Sequence, residues 1–361
     1  MNILIDIVHP AHVHLLRNFY KEMIARGHKV VMTCKHIPSA MQLLEMYGIP
    51  YIYLGEKKDN IALKALEQVW YNMKLLRIAQ REKCTIAVGS SITLAHIAAL
   101  SKWSPFRKRI NAILLDDDDD EVEPLYAKYG HPFADVVLSP QDTPRVTMKV
   151  VYYPAYHELA YLHPKRFTPD PSVLDDAGIY YERDVKGNVV NVEPYFVMRF
   201  NAFKAHHDEG AHGLSIEGKR RLVQLLSQHG RVFITTEREI DEEFRPYQLK
   251  LPQEQVHSLM YFATMFVGDS QTMTSEAAVL GTPAVKCNSF AGRLSVPNEL
   301  EQKYELCYAF LPEEEEAFFA KMEELLAMPH LKDEWQKRRE RMLREKIDVT
   351  EFLTHFIEKF D

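Results

Sequence analysis

The chain has 361 residues, a length that two α/β domains fill more readily than one hydrophobic core. Its composition, 46% hydrophobic and 26% charged, is that of a globular protein and excludes a disordered or fibrous chain. The formal net charge of −7 argues against general nucleic-acid binding, because that needs a basic surface to displace counterions from phosphates.

Short apolar strands alternate with helical patterns from the first residue onward. In the first half, strands are predicted at residues 3–7, 29–33, 51–54, 85–88, 112–115 and 135–138. Helices are predicted between them at residues 14–25, 41–47, 61–80 and 94–100. Near-continuous apolar strands separated by helices are typical of a parallel sheet covered on both faces.

The alternation stops between residues 154 and 192, where prolines and a polar run predict a linker with a hairpin or loop. A second series follows, with strands at residues 195–199, 232–235, 265–267 and 284–286 and helices at residues 216–228, 253–262 and 272–280. We therefore predict two doubly wound, Rossmann-like α/β domains, in which ligands bind beyond the carboxyl ends of the strands. The predicted divisions are a first domain at 1–165, a linker at 166–190, a second domain at 191–340, and a C-terminal helix at 341–361 that can pack back on the first domain.

The four cysteines lie far apart and show no CxxC spacing, so we expect buried, reduced side chains. The N-terminus lacks the pattern of a signal peptide, and no stretch approaches the roughly 20 apolar residues of a transmembrane helix. These features predict a cytoplasmic protein and leave peripheral attachment to the inner face of the membrane open.

The strongest candidate site is the run GDSQTMTSEAAVLGTP at residues 268–283. An apolar strand ends in Gly-Asp-Ser and a helix begins at once, so its N–H groups and the positive end of its dipole suit a phosphate. Ser270 and Thr272 add hydroxyl donors, and the Glu276 carboxylate can accept from both hydroxyls of a ribose. The alternative is that Asp269 or Ser270 only caps the helix, with Glu276 as a capping-box partner.

This run resembles the donor-binding signature GDS-x-x-x-x-x-EA-x-x-LG-x-P of the UDP-N-acetylglucosamine 2-epimerase superfamily. The whole chain is similar to an epimerase-like branch of bacterial and archaeal proteins in that superfamily. The resemblance implies a GT-B fold, with a cleft between two Rossmann-like domains that binds a UDP-linked nucleotide-sugar. It also implies that Ser270, Gln271 and Thr272 hold the diphosphate and that Glu276 holds the ribose.

Three histidines, His9, His12 and His14, follow the first strand at its turn into a helix. Because histidine is suited to proton transfer near neutral pH, His12 or His9 is predicted to be the catalytic base. The segment is similar to the GGHV-type loop of GT-B transferases, in which His12 matches the histidine near the acceptor, although Pro10 and Ala11 replace the glycines. The alternative is that His12 and His14 only pack at the start of the helix.

Other strand ends supply weaker candidates. Arg199 ends the first strand of the second domain and would face the diphosphate in a bidentate geometry. Further donor-side candidates are Asn201, Thr236, Glu237, His257 and Asp269. Acceptor-side candidates are Ser90, Ser91, Asp117 and Asp118. The alternatives are that the serines cap a helix and that the acidic run at residues 116–120 is simply solvated, since adjacent carboxylates repel one another.

We predict no metal and no cofactor, although His206, His207, Asp208 and His212 are the residue types of an alternative metal site. Residues 102–109, from Lys102 to Arg109, combine two aromatic side chains with four cations in an otherwise acidic chain. This combination suits an anionic membrane surface, and an ordinary loop is the alternative.

The sequence therefore predicts a metal-independent, inverting glycosyltransferase. It would transfer a sugar from a nucleotide-sugar donor to a glycan or lipid-linked acceptor in cell-surface glycan or polysaccharide synthesis. The GTRPE-like loop of the epimerases is missing from the first strand's end, which favours transfer over epimerisation. An epimerase-like enzyme acting on the free nucleotide-sugar and a non-catalytic nucleotide-sugar binding protein remain as alternatives.

Overall fold

The computed structural model describes residues 1–56, 61–103, 108–141, 143–200, 213–235 and 240–360, with only the backbone described at residues 61–66. It divides into two compact units. Unit 1 comprises Met1–Arg166 and Lys346–Asp361, and unit 2 comprises Phe167–Glu345. Each unit is built on its own parallel sheet.

The sheet of unit 1 has seven described strands in the order β3-β2-β1-β4-β5-β6-β7, and every neighbouring pair is parallel. The strands are β1 (Asn2–Ile7), β2 (Lys29–Cys34), β3 (Ile52–Tyr53), β4 (Ile86–Gly89), β5 (Asn111–Leu115), β6 (Val136–Pro140) and β7 (Val150–Tyr153). The helices are α1 (Pro10–Ala25), α2 (Pro38–Met46), α3 (Ile61–Arg81), α4 (Ile92–Lys102), α5 (Pro124–Tyr129) and α6 (Leu159–Leu162). The strand order reverses between β1 and β4, which is the doubly wound arrangement.

Apolar strand positions build the core of unit 1. Leu4 on β1, Leu114 on β5 and Val137 on β6 lie in one buried cluster with Leu75 of α3 and Ile97 of α4. Because side chains alternate between the two faces of a strand, runs that are apolar at every position need helices on both faces.

In unit 2, five described strands form a parallel sheet in the order β11-β10-β12-β13-β14. These strands are β10 (Tyr195–Arg199), β11 (Arg231–Thr235), β12 (Met265–Gly268), β13 (Ala284–Cys287) and β14 (Cys307–Phe310), and a hairpin of β8 (Glu182–Arg183) and β9 (Val189–Val190) precedes them. The helices are α7 (Ser172–Asp176), α8 (Ile216–Ser227), α9 (Val256–Phe262), α10 (Gln271–Leu280), α11 (Ser295–Gln302), α12 (Glu315–Leu326) and α13 (Leu331–Glu345). The prediction of two doubly wound α/β domains is confirmed.

Two edge strands, β7 and β14, were not anticipated from the sequence. Both have partly exposed burial patterns, because each has a neighbouring strand on one side only. Both are apolar runs of only four residues, VVYY and CYAF, and a run this short does not by itself distinguish a strand from a buried helix segment.

The segment at residues 166–190, predicted as a linker, contains α7 and both strands of the hairpin, and residues from Phe167 onward group with unit 2. One contact that fixes it is the hydrogen bond from the Asp170 N–H to the Ser258 hydroxyl, at 3.0 Å.

The last helix, α14 (Val349–Glu358), belongs to unit 1 although it follows unit 2 in the sequence. Its apolar side chains Leu353 and Ile357 are fully buried. The Thr350 hydroxyl donates to the Ala160 carbonyl at 2.8 Å, and Asp348 at the helix start pairs with Arg166 at 2.6 Å. The helix thus fastens the chain end to α1 and α6.

All four cysteines are buried and none forms a disulfide, as predicted. Within the described residues, no helix combines the length and apolarity that crossing a membrane requires.

Leu353→Ala tests the attachment of α14. We expect it to lower the free energy of unfolding of unit 1 by about 2–5 kcal/mol, because a buried leucine leaves a cavity when truncated. His355→Ala, on the exposed face of the same helix, should cost less than about 1 kcal/mol. Urea denaturation followed by circular dichroism measures both, and equal losses would contradict the packing described here.

Candidate functional site

The junction between β12 and α10 is shaped by Gly268, the last residue of the strand. A Cβ atom at this position would lie 2.0 Å from the Arg199 carbonyl oxygen, so no other residue fits without displacing β10. The close approach lets the Asp269 N–H donate to that carbonyl at 3.0 Å. Arg199 and Asp269, two predicted donor-side residues, are therefore adjacent at the carboxyl edge of the sheet.

Ser270 is the N-cap of α10, and its hydroxyl accepts from the Met273 N–H at 3.4 Å. The capping role given as an alternative is thus present in the structure. The N–H groups of Gln271 and Thr272, in the first turn, have no intrahelical acceptor because the carbonyl groups four residues before them lie outside the helix. With the dipole of the helix, they form an anion-binding end.

Glu276 and His257, both predicted on the donor side, contact one another in the structure. His257 Nε2 on α9 lies 3.0 Å from Glu276 Oε1, and each side chain is 7% exposed. Glu276 is not a capping-box partner, since that role belongs to the third helical position, which is Met273. A buried carboxylate is therefore held by an imidazole two turns into the helix that Ser270 caps.

Two buried lysines near this edge were not anticipated. Lys286 on β13 is 1% exposed and donates to Gln271 Oε1. Lys219 on α8 is also buried; burial lowers its pKa, while Asp269 raises it. A lysine inside the apolar strand AVKC is the sequence signal that could have identified Lys286.

In unit 1, His9 and His12 lie at the start of α1. His9 is the N-cap and its Nδ1 accepts from the Ala11 N–H at 3.2 Å. Burial and the nearby His9 and His157 lower the pKa of His12 to about 3, against the opposing charge of Asp117. His12 is therefore a neutral imidazole at physiological pH, and its buried Nδ1 has no hydrogen-bond partner among the described residues.

Asp117, predicted on the acceptor side, is paired with His157, which the sequence analysis missed. Its Oδ1 lies 3.0 Å from His157 Nδ1. Burial lowers the pKa of His157, but the Asp117 charge and hydrogen bond outweigh it, so the pKa is raised overall. Conversely, burial raises the pKa of Asp117, and His157 more than offsets this and lowers it. His157 lies between β7 and α6, where the sequence gives no periodic signal.

The alternative that the acidic run is simply solvated is wrong for Asp116, Asp119 and Asp120, which are buried. The cause is the guanidinium of Arg145, whose Nη1 lies 2.9 Å from Asp116 Oδ2 and 2.7 Å from Asp120 Oδ1. Asp116, Asp120 and His131 bring ligand atoms within 4.8 Å of one another, a spacing that a metal ion can use. In this structure the cation among these carboxylates is Arg145.

The remaining acceptor-side candidates differ in exposure. Ser91 is the N-cap residue of α4, but its side chain makes no capping hydrogen bond. Its buried hydroxyl donates instead to Asp6 Oδ2 at 2.6 Å. Asp6 also accepts from the Thr33 hydroxyl at 2.8 Å, and burial raises the pKa of this carboxyl. Ser90 is half-buried and Asp118 is exposed.

Several predicted residues lie outside the described residues. On the donor side these are Asn201, Thr236 and Glu237. The residues of the alternative metal site, His206, His207, Asp208 and His212, also lie outside the described part of the chain. Next to these donor-side positions, Arg199 Nη1 lies 3.4 Å from the Thr235 hydroxyl. Of the segment at 102–109, residues 104–107 are not described. Trp103 is 85% exposed and Lys102 pairs with Asp135. Contact of this segment with a membrane stays a prediction.

Comparison with known proteins places this geometry in context. A family model described as "Protein of unknown function (DUF354)" matches residues 1–303. No curated protein matches the sequence. Among solved structures, S. aureus MnaA in a co-structure with UDP is 11% identical over 99% of this chain and 96% of that chain, with a TM-score of 0.67.

Two further structures extend the likeness. UDP-GlcNAc 2-epimerase from Neisseria meningitidis, bound to UDP-GlcNAc, is 12% identical over 99% of this chain and 100% of that chain, with a TM-score of 0.64. Spinosyn rhamnosyltransferase SpnG, complexed with spinosyn aglycone, is 12% identical with the same two coverages and a TM-score of 0.62. At this identity the likeness concerns the fold, and the predicted GT-B fold is confirmed.

The pairing of Asp117 with His157 can be tested by histidine titration. By NMR of labelled ring nitrogens, we expect a His157 midpoint above the ordinary value of about 6.5, falling in Asp117→Asn because burial then prevails. Because the pKa of His157 is raised in the folded protein, its pairing with Asp117 stabilises the fold fully below about pH 6.5. This stabilisation disappears as the pH rises through the folded-state pKa of His157. A His157 midpoint that Asp117→Asn leaves unchanged would contradict the pairing.

Proposed function

We propose that this chain, which belongs to the DUF354 family, is a glycosyltransferase that takes its sugar from a nucleotide-sugar donor. The observation that supports this most is the start of α10, where a helix end with free N–H groups lies about two turns from a buried carboxylate that contacts an imidazole. One group suits a diphosphate and the other a ribose diol. The neighbouring folds agree with this proposal, since MnaA was solved with UDP and the Neisseria enzyme with UDP-GlcNAc.

On the donor side, the N–H groups of Gln271 and Thr272 would bind the diphosphate, with Ser270 fixing the helix start. Glu276 would accept from the ribose hydroxyls, and His257 would orient its carboxylate. Arg199 ends β10 and Asp269 follows the last residue of β12, and both would border the phosphates. Removing a hydrogen bond to a charged group costs about 1.5–3 kcal/mol, so each such contact is measurable in affinity.

On the acceptor side, we assign His12 to the hydroxyl that attacks the sugar. The bond between the anomeric carbon and the diphosphate breaks, the acceptor oxygen bonds to that carbon, and the hydroxyl proton passes to the imidazole. His12 is neutral, as a proton acceptor must be, and a pKa of about 3 makes it a weak base. An inverting outcome follows from direct displacement, and the acceptor is proposed to be a glycan or a lipid-linked glycan.

An epimerase-like enzyme is the second candidate, because two of the similar folds are a UDP-GlcNAc 2-epimerase and the UDP-bound MnaA. Incubation of UDP-GlcNAc alone separates the two candidates. An epimerase alters the free nucleotide-sugar, whereas a transferase needs an acceptor for full turnover. Binding without either change would favour a non-catalytic binding protein.

Glu276→Ala tests the donor site. We expect calorimetric titration to show UDP bound at least tenfold more weakly, which corresponds to about 1.4 kcal/mol or more. A matched control is Thr282→Val, at the other end of α10, where the buried hydroxyl donates to the Met260 carbonyl at 2.8 Å. This control should lower the melting temperature and leave UDP affinity unchanged. If Glu276→Ala behaves like the control, Glu276 is structural and the donor-site assignment is wrong.

A further inference from the structure

Lys286 places an ammonium group inside unit 2 beside the start of α10. The residue is paired in register with Gly268, the last residue of β12, so it stands next to the turn that leads into the helix. Its side chain is 1% exposed, and no described carboxylate forms a salt bridge with it. Glu301 and Cys307 act on it only electrostatically. Burial lowers the pKa of the Lys286 ammonium.

This arrangement is unfavourable unless an anion is present. A buried cation without a paired carboxylate loses its hydration, and the positive end of the α10 dipole lies on the same side. The Lys286 ammonium and the positive end of the α10 dipole repel each other, because the lysine contacts the first residue of the helix. A bound anion in front of the helix would compensate both at once.

Gln271 connects the lysine to that space. An ammonium group can only donate, so its contact fixes the Gln271 amide with Oε1 towards Lys286 and leaves Nε2 as the remaining donor. Gln271 Nε2 is buried and has no hydrogen-bond partner among the described residues. A buried donor that is held in place without an acceptor is expected where a ligand supplies one.

We propose that Lys286 and Gln271 form a diphosphate-sensing pair, in which Lys286 positions the Gln271 amide to donate to a phosphate oxygen. This inference rests on the proposed function and names the part of the donor that unit 2 recognises. Gln271 touches the ligand, and Lys286 acts through it as a positioning residue. When the sugar departs, the electron pair of the broken bond stays on the diphosphate, and the nearby ammonium stabilises that charge without transferring a proton.

The alternative is that Lys286 only ties β13 to α10. A structural lysine would affect stability and would not discriminate between ligands with and without phosphates. A lysine that positions a phosphate donor would affect UDP and leave uridine unchanged. The ratio of the two affinities is therefore the informative quantity.

The experiment is calorimetric titration of the full-length protein with UDP, uridine and inorganic pyrophosphate. We expect Lys286→Met to weaken UDP and pyrophosphate binding at least tenfold and to leave uridine affinity within twofold. Without ligand, its melting temperature should stay equal or rise, because removing an unpaired buried charge relieves a desolvation cost. Gln271→Leu replaces a half-buried side chain and should also weaken UDP binding. It tests the proposal if Lys286→Met does not fold.

Lys332→Met is the matched control. Lys332 donates to the Ala263 carbonyl at 3.1 Å and to the Thr282 hydroxyl at 2.6 Å, at the far end of α10. Burial and Arg339 also hold the pKa of this lysine well below its usual range. The control should bind UDP as the wild type does.

Failure of the Lys286–Gln271 proposal and failure of the proposed function give different results. If the wild type binds UDP and both Lys286→Met and Gln271→Leu bind it equally well, the pair is structural and this inference is wrong, while the proposed function stands. If the wild type binds pyrophosphate and not UDP, and Lys286→Met loses pyrophosphate, the anion site stands and the proposed function falls. A wild type that binds neither ligand contradicts both.

Discussion

The donor side depends on the close approach of β10 and β12 at Gly268. Because this residue has no Cβ, the Arg199 carbonyl reaches the Asp269 N–H, and the chain enters α10 directly from the sheet. The same residue is in register with Lys286 on β13. One steric constraint thus brings the end of β10, the first turn of α10 and a buried lysine to one edge. A side chain at position 268 would push these groups apart even in the protein without ligand.

Both units bury charged groups, and some of these groups have an oppositely charged partner whereas others contact a neutral side chain. In unit 1, Arg145 lies between Asp116 and Asp120 and His157 pairs with Asp117, while the buried Asp6 carboxyl accepts from the hydroxyls of Ser91 and Thr33. In unit 2, Lys286 meets an amide rather than a carboxylate. Since burying a charge costs free energy unless an opposite charge compensates it, the two patterns differ in meaning. Paired charges compensate one another within their unit, whereas we propose that a bound anion compensates Lys286.

Much of the fold could be predicted from the sequence, because local patterns determine it. The apolar runs of β1, β5 and β12 and the Gly-Asp-Ser junction before α10 are signals within a few residues. The pairs Asp117–His157 and Glu276–His257 could not be predicted, although three of their members were named as candidates. Their partners are 40 and 19 positions apart in the sequence, and only the packing of separate strands and helices brings them together. For the same reason the burial of the acidic run was missed, since Arg145 lies on a later segment.

A crystal structure of the protein with UDP measures the central claim most directly. The account predicts diphosphate oxygens within hydrogen-bonding distance of the Gln271 and Thr272 N–H groups, with the ribose hydroxyls at the Glu276 carboxylate. UDP bound elsewhere in unit 2 or in unit 1, with the start of α10 left without it, would contradict the account.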